Sequence, residues 1–282
     1  MRLTLGEHVI DCTDRTAVMG ILNVSHDSPV ADSVFDPLRA LDRAIALQRA
    51  GAEIVDVGAV STTSDGRELS VQEEIDRVCP VIEATVREGI ATSVDTWKPQ
   101  VARAAAEAGA HVLNDVSGLS DPEMIAVAAE FGLPGLVMHM RGRPQHHWDV
   151  DQTYEDIATE VREFLLERAG AIEAAGAPRP WIDPGFDFGK SLADNLRLFD
   201  GLPGLVATGY PVVISLSRKP MLGELLGFPT RQDVPQIVDA TVAANALAAQ
   251  AGVHIVRVHD VAEVAAGLRI VNELRRRRAE AR

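Results

Sequence analysis

The chain has 282 residues, 46% of them apolar and 24% charged, enough to bury a substantial core and unlike a disordered segment. Aspartate and glutamate number 41 against 27 lysines and arginines, a net charge of −14 that repels nucleic acid unless a local basic stripe overcomes it. Two cysteines, Cys12 and Cys79, exclude a disulfide scaffold and a four-thiolate zinc site.

The first twelve residues, MRLTLGEHVIDC, contain no apolar run of signal-peptide length, so a cytoplasmic protein is expected. Short Val/Ile/Leu runs then alternate with amphipathic stretches. Strands are predicted to end near Asn23 (AVMGILN), Gly58 (EIVDVG), Asp95 (ATSVD) and Asp115 (HVLND). Four more end near Met140 (GLVMHM), Asp183 (PWID), Ser215 (VVIS) and His259 (IVRVH). Their near-continuous apolar character suits parallel strands buried on both faces. Between them, Asp36-Pro37 reads as an N-cap with Pro at the first helical position, and Gly51 closes that helix. Helices are also predicted over Val71–Gly89, Pro99–Ala108, Asp121–Phe131, Tyr154–Ala175, Ser191–Asp200 and Val234–Gln250, with a last one from Val261. That helix ends in the only dense basic run, Arg275–Arg278, which reads as a solvated face complementing the helix dipole, so no nucleic-acid partner is expected. The longest apolar stretch, Gly201–Leu216, is broken by Pro203, Gly204, Gly209 and Pro211, so no membrane span is expected either.

Eight strands each followed by a helix, without a linker, predict an α/β protein: a single (β/α)8 TIM barrel filling residues 1–282, with its active site at the C-terminal strand ends. A doubly wound sheet fits less well, because no G-x-G-x-x-G follows the first strand. The predicted strand ends carry Asn23, Asp56, Asp95, Asn114-Asp115, His139, Asp183, Ser217-Arg218-Lys219 and Arg257-His259-Asp260. Asp95, Asn114 and Asp183 offer acceptors and a two-sided amide, which suit a flat heterocycle with neighbouring N–H and C=O edges. Lys219, Arg257 and His259 offer positive charge for a phosphate or another anion.

The segments VMGILNVSHDS, DVGAVST, SVDTWK, NDVSG, VMHMRGRP, IDPGFDFGK, SRK and RVHDV, in that order, resemble the signature segments of the dihydropteroate synthase family. The resemblance implies a pterin-binding barrel. It also implies a transferase that displaces diphosphate from 6-hydroxymethyl-7,8-dihydropterin diphosphate with the amine of p-aminobenzoate, for folate synthesis. By position it implies substrate contacts from Asn23, Thr62, Asp95, Asn114, Met138, Asp183, Phe188, Ser217, Lys219, Arg257 and His259. Of these, Asp95, Lys219 and Arg257 would be catalytic, and a Mg2+ cofactor would sit near Asn23. The Ala-rich stretch Thr241–Gln250 would allow close helix packing in a homodimer like the family's.

The departures from the pattern are concentrated. The first loop has Ser25-His26-Asp27-Ser28-Pro29 where Thr-Pro-Asp-Ser-Phe is expected, and the second has Val60-Ser61-Thr62-Thr63-Ser64-Asp65 where Glu-Ser-Thr-Arg-Pro-Gly is expected. Asp187 and Leu216 stand where glycines are expected. Either the loops have drifted in an ordinary synthase, with Arg67 replacing the family's arginine, or a divergent paralogue keeps the pterin pocket with another nucleophile or no catalysis. A corrinoid-dependent methyltransferase is disfavoured by the intact Ser-Arg-Lys and Arg-x-His-Asp segments. His139, His146 and His147 lack a carboxylate or thiolate at zinc-like spacing, so no histidine metal site is expected. Trp97 and Trp181 read as packing residues at strand–helix junctions, and neither cysteine neighbours a base that would activate it.

Overall fold

The computed structural model describes residues 1–24, 37–60, 68–228 and 235–281. A short hairpin, β1 (Arg2–Leu5) and β2 (His8–Asp11), precedes the barrel. The first barrel half runs β3 (Ala17–Asn23), α1 (Pro37–Ala50), β4 (Ile54–Gly58), α2 (Val71–Arg87), β5 (Thr92–Asp95), α3 (Pro99–Glu107), β6 (Val112–Asp115) and α4 (Pro122–Phe131). The second runs β7 (Gly135–Met138), α5 (Ile157–Ala174), β8 (Trp181–Asp183), α6 (Leu192–Asp200), α7 (Leu202–Val206), β9 (Val213–Ile214), α8 (Pro220–Leu225), α9 (Pro235–Gln250), β10 (Ile255–Val258) and α10 (Val261–Glu280). A 3-10 turn, His147–Asp149, lies between β7 and α5.

Strands β3 to β10 form one parallel sheet in the order β8-β7-β6-β5-β4-β3-β10-β9. A parallel bridge from Ile182 to Val212 joins β8 to the start of β9, so the sheet meets itself as a barrel. Local signals fix the helix starts. Asp121 accepts from the Glu123 N–H at 2.9 Å ahead of Pro122, and Ser70 and Glu73 form a reciprocal capping box on α2.

Side chains alternate between the two sides of each strand. Outward residues such as Val55, Val57, Val94, Leu113 and Ile182 pack under the helices. Inward residues stack in layers. The lowest is apolar: Met19, Ile54, Ala91, Val112, Leu136, Trp181, Val213 and Ile255. Leu3, Leu5, Ile10 and Cys12 of the hairpin pack against that layer, so β1 and β2 close the barrel floor. The two strands of this hairpin are not among those expected from the sequence. Trp181 does pack, as expected, but inside the barrel floor rather than at a strand–helix junction.

Burial pushes both thiols up to about 11, Cys12 in the floor and Cys79 in α2. The basic run of α10 is held by its own helix and its neighbours. Arg276 and Arg277 pair with Glu273, while Arg275 donates to Thr16 Oγ1 at 2.9 Å and to the Ala249 carbonyl at 3.0 Å.

Candidate active site

One step up from the floor, the inward positions of five strands turn polar. Ile54 is followed two residues on by Asp56, Ala91 by Ser93, Val112 by Asn114, Trp181 by Asp183 and Ile255 by Arg257. Arg257 is the hub: its Nε donates to Asp56 Oδ2 at 2.6 Å and its Nη2 to Asp95 Oδ2 at 2.5 Å. Asn114 Nδ2 adds a bond to Asp56 Oδ2 at 2.9 Å. The guanidinium thereby ties β4, β5 and β10, and Asn114 adds β6 through Asp56.

Two carboxylates share that single cation. Burial works against the charge on Arg257, but Asp56 and Asp95 outweigh it and hold the side chain protonated. Burial pushes Asp95 up to about 7, against the pull of Arg257 and with Asp56 adding to the rise. Asp56 Oδ1 and Ser93 Oγ are buried without a protein hydrogen-bond partner. Buried polar groups left unsatisfied are costly unless a ligand or water meets them.

The loop after β8 forms the next wall. Asp183 Oδ1 accepts from the Gly185 N–H at 2.7 Å, and burial raises the Asp183 carboxyl above its ordinary range. A Cβ on Gly185, at φ +68°, would lie 2.1 Å from the His139 carbonyl oxygen, so only glycine fits there. Lys190 is buried and donates to the carbonyls of Gly185 at 2.7 Å, Phe188 at 3.1 Å and His139 at 3.3 Å. The loop thus delivers Phe188 to an apolar cluster with Trp97, Val116, Met138 and Met140. Lys219 Nζ lies 4.3 Å from the Phe188 ring centroid, a cation–π contact. Burial lowers Lys219, opposed by Asp187 and Asp183.

Opposite, Ser217 Oγ lies 3.1 Å from His259 Nδ1 and accepts from the His259 N–H at 3.0 Å. Burial, with Arg257 adding, lowers His259 to about 4, so it is neutral at physiological pH. Arg218 turns outward to Asp260 in a two-bond pair at 2.9 and 2.6 Å.

Most expected site residues therefore converge. Asp95, Asn114, Asp183 and Arg257 surround the polar layer, Met138, Phe188 and Lys219 form one wall, and Ser217 and His259 another. Asn23 is exposed at the end of β3. Thr62 lies outside the described residues, as do Pro29, Thr63, Ser64, Asp65 and Arg67. Two strand-end residues face away from the mouth. His139 packs edge-on to Phe164 of α5 at 4.9 Å, and Asp115 accepts from the N–H groups of Ser117 at 2.7 Å and Leu119 at 3.1 Å within its own loop. Trp97 packs as expected, but at the mouth itself. Asp56 was read as a strand end without a site role, although its place two residues after Ile54 marks it as inward. His147, 5.5 Å from the Phe188 ring, had no periodic signal, because it reaches the mouth from a loop.

The chain is similar to known proteins along nearly its whole length. The profile of the family described as pterin binding enzyme matches residues 19–259. The dihydropteroate synthase of Escherichia coli K12 is 40% identical over 258 residues, covering 90% of each chain. The solved dihydropteroate synthase of Thermus thermophilus in complex with 4-aminobenzoate superposes with a TM-score of 0.86 at 40% identity, covering 97% of this chain and 100% of that one. The enzyme of Xanthomonas albilineans in complex with 7,8-dihydropteroate gives 0.85 at 39% identity, covering 97% and 98%. With the described parts of its signature segments ending at one barrel mouth and relatives matched along nearly its whole length, this chain belongs to the pterin-binding enzyme family, among the dihydropteroate synthases.

Proposed function

We propose that this protein condenses 6-hydroxymethyl-7,8-dihydropterin diphosphate with p-aminobenzoate, releasing diphosphate and forming dihydropteroate. The carrying observation is the buried polar layer around Arg257, with the Lys219–Phe188 pair at the same end of the barrel, in a chain so similar to synthases that bind 4-aminobenzoate and dihydropteroate. The pterin's N–H edge would meet the Asp183 carboxylate and the Asn114 amide, with Met138 against the ring face. Asp95 would stabilise positive charge developing on the ring as the C–O bond to diphosphate breaks and its electron pair leaves with the diphosphate. The amine nitrogen lone pair then forms the new C–N bond, and the amine sheds a proton. Arg257 and His259 would lie toward the leaving group, with Ser217 and the Lys219–Phe188 wall toward the aryl amine; holding both partners in line is the larger share of the catalysis.

The described residues offer no cluster of three His, Cys, Asp or Glu for a metal, and Asn23 presents a single amide oxygen. That donor set fits Mg2+, which keeps several waters and binds through one or two protein groups plus substrate phosphates. Asn23 would hold it, and the ion would neutralise diphosphate charge. The reading also makes the protein a cytoplasmic homodimer. Exposed Leu247 on α9, and Ile270 and Leu274 one turn apart on α10, are apolar residues that a second copy would cover. No helix among the described residues is long and apolar enough to cross a membrane.

Genetic complementation tests the function. The chain should restore growth, without added folate end products, to a bacterium whose own dihydropteroate synthase gene is deleted. Failure of a well-expressed, folded chain to do so would contradict the proposal.

A further inference from the structure

Asp187 breaks a local rule in the loop after β8. Residues 185, 187 and 189 all have left-handed backbone, at φ +68°, +65° and +64°, yet the middle one is not glycine. Such a conformation persists in a residue with a Cβ only where surrounding contacts over-determine it. Here the Asp187 N–H and both of its carboxylate oxygens are bonded. Its N–H donates to Asn195 Oδ1 at 2.9 Å, its Oδ1 accepts from Asn195 Nδ2 at 2.9 Å, and its Oδ2 accepts from the Met221 N–H at 3.1 Å. Asn195 is itself buried in α6 and donates to the Lys190 carbonyl at 3.3 Å.

One side chain therefore fastens three pieces: the β8 loop that carries Phe188, helix α6, and the start of α8 two residues after Lys219. Phe188 and Lys219 are the two groups in cation–π contact at the mouth. Asp187 is also the carboxylate that acts most strongly on Lys219. Nothing about the barrel itself requires this arrangement, since the other left-handed positions in the loop are filled by glycine.

We propose that Asp187 is a positioning residue for the second-substrate side of the site: it sets Lys219 against the Phe188 ring and supplies the counter-charge that keeps the ammonium there. Lys219 also faces Asp183, Asp95 and Arg257 from the barrel, and Lys190, His147 and His259 from neighbouring segments. Four of those six, the cations Arg257 and Lys190 and the histidines His147 and His259, do not favour a positive charge on Lys219. Removing the Asp187 charge therefore shifts the balance toward loss of the Lys219 proton. The link to the aryl amine rests on the synthase reading; the link to Lys219 does not.

The test uses the intact protein and the fact that the chain has only three lysines, Lys98, Lys190 and Lys219. Competitive acetylation with acetic anhydride across pH, read by mass spectrometry against Lys98, reports the titration and reactivity of Lys219 without any need for turnover. Asp187→Asn removes the charge at constant size. Asp187→Gly removes charge and clamp while tolerating the left-handed backbone, so it covers the case in which the Asn variant fails to fold. The expected result is a Lys219 titration moved down by ~1 pH unit in the folded variants. In steady-state kinetics, KM for p-aminobenzoate should rise ~10-fold with Asp187→Gly, while KM for the pterin diphosphate stays within ~2-fold, as loss of binding confined to one substrate requires. An unchanged Lys219 titration in a folded variant overturns the proposal, and so does an unchanged amine KM. A parent protein with no p-aminobenzoate-dependent turnover would sink the synthase reading instead, and the acetylation result would still decide the role of Asp187.

Discussion

Arg257 shows how one side chain can organise a site from the inside of a barrel. Its planar fork reaches Asp56 and Asp95 at once, through Nε and Nη2, while Asn114 closes on Asp56. A lysine carries the same charge but not the fork. Arg257→Lys should lower kcat/KM by ~100-fold, the scale of one lost charge-assisted hydrogen bond, and steady-state kinetics would show it. Activity within a few-fold of the parent would mean that the charge, rather than the geometry, suffices. His139 makes the contrasting case of a buried histidine without a site role. Its ring is held neutral, with burial driving it down to about 2, and its Nδ1 has no hydrogen-bond partner. The folded value lies below the unfolded one of ~6.5, so the unfolded chain takes up a proton there that the folded chain refuses. Stability from this residue is complete above pH 6.5 and falls by ~1.4 kcal/mol for each pH unit below it. Between pH 7 and 4.5, His139→Phe should therefore lose ~2–3 kcal/mol less than the parent in denaturant unfolding, and parallel pH profiles would refute this. At this scale the sequence was legible wherever period-two alternation carried an inward residue to a strand end, as at Asn114, Asp183 and Arg257. It was less so where a residue's direction depends on the loop beyond the strand, which is why His139 and Asp115 turn away and His147 arrives unannounced.

The elements themselves were readable because long Val/Ile/Leu runs and strong caps agree with each other. The predicted ends of α4 and α6 match the observed ones to within a residue, since Asp121-Pro122 and Ser191 supply unambiguous starts. Helix α5 begins three residues later than the Tyr154 start expected from periodicity. Tyr154 is instead used as a ring beneath Arg141, at 3.9 Å, and Asp156 caps the helix through the Thr159 N–H at 3.3 Å. The hairpin was missed for a physical reason: two four-residue strands carry too few alternations to stand out from a polar leader. Its apolar residues nevertheless complete the lowest barrel layer. Leu5, 2% exposed, should cost ~2–4 kcal/mol when truncated to alanine. Thermal melting should show a Tm lower by ~5–10 °C. Because the floor lies at the opposite end from the mouth, kcat at 25 °C should be unaffected, and a loss of turnover in folded Leu5→Ala would show coupling that this architecture does not contain.

Across the whole molecule, the barrel separates stability from chemistry along its axis. The floor is apolar and corked by β1 and β2, the middle layer is polar and tied through Arg257, and the mouth is shaped by the loops after β7, β8 and β9. Recognising eight segments in order was enough to place the chain in its family. The departures at Pro29, Thr63, Ser64 and Asp65 could not be weighed from sequence, because the effect of a loop residue depends on where the loop lies against the substrate. The most direct measurement is therefore diphosphate release from 6-hydroxymethyl-7,8-dihydropterin diphosphate with Mg2+, in the presence and absence of p-aminobenzoate, beside a competent synthase. Release that depends on p-aminobenzoate and yields dihydropteroate is the predicted result. Pterin binding by calorimetry with no amine-dependent release would contradict it, and would mean that the altered loops have turned a retained pterin pocket to another purpose.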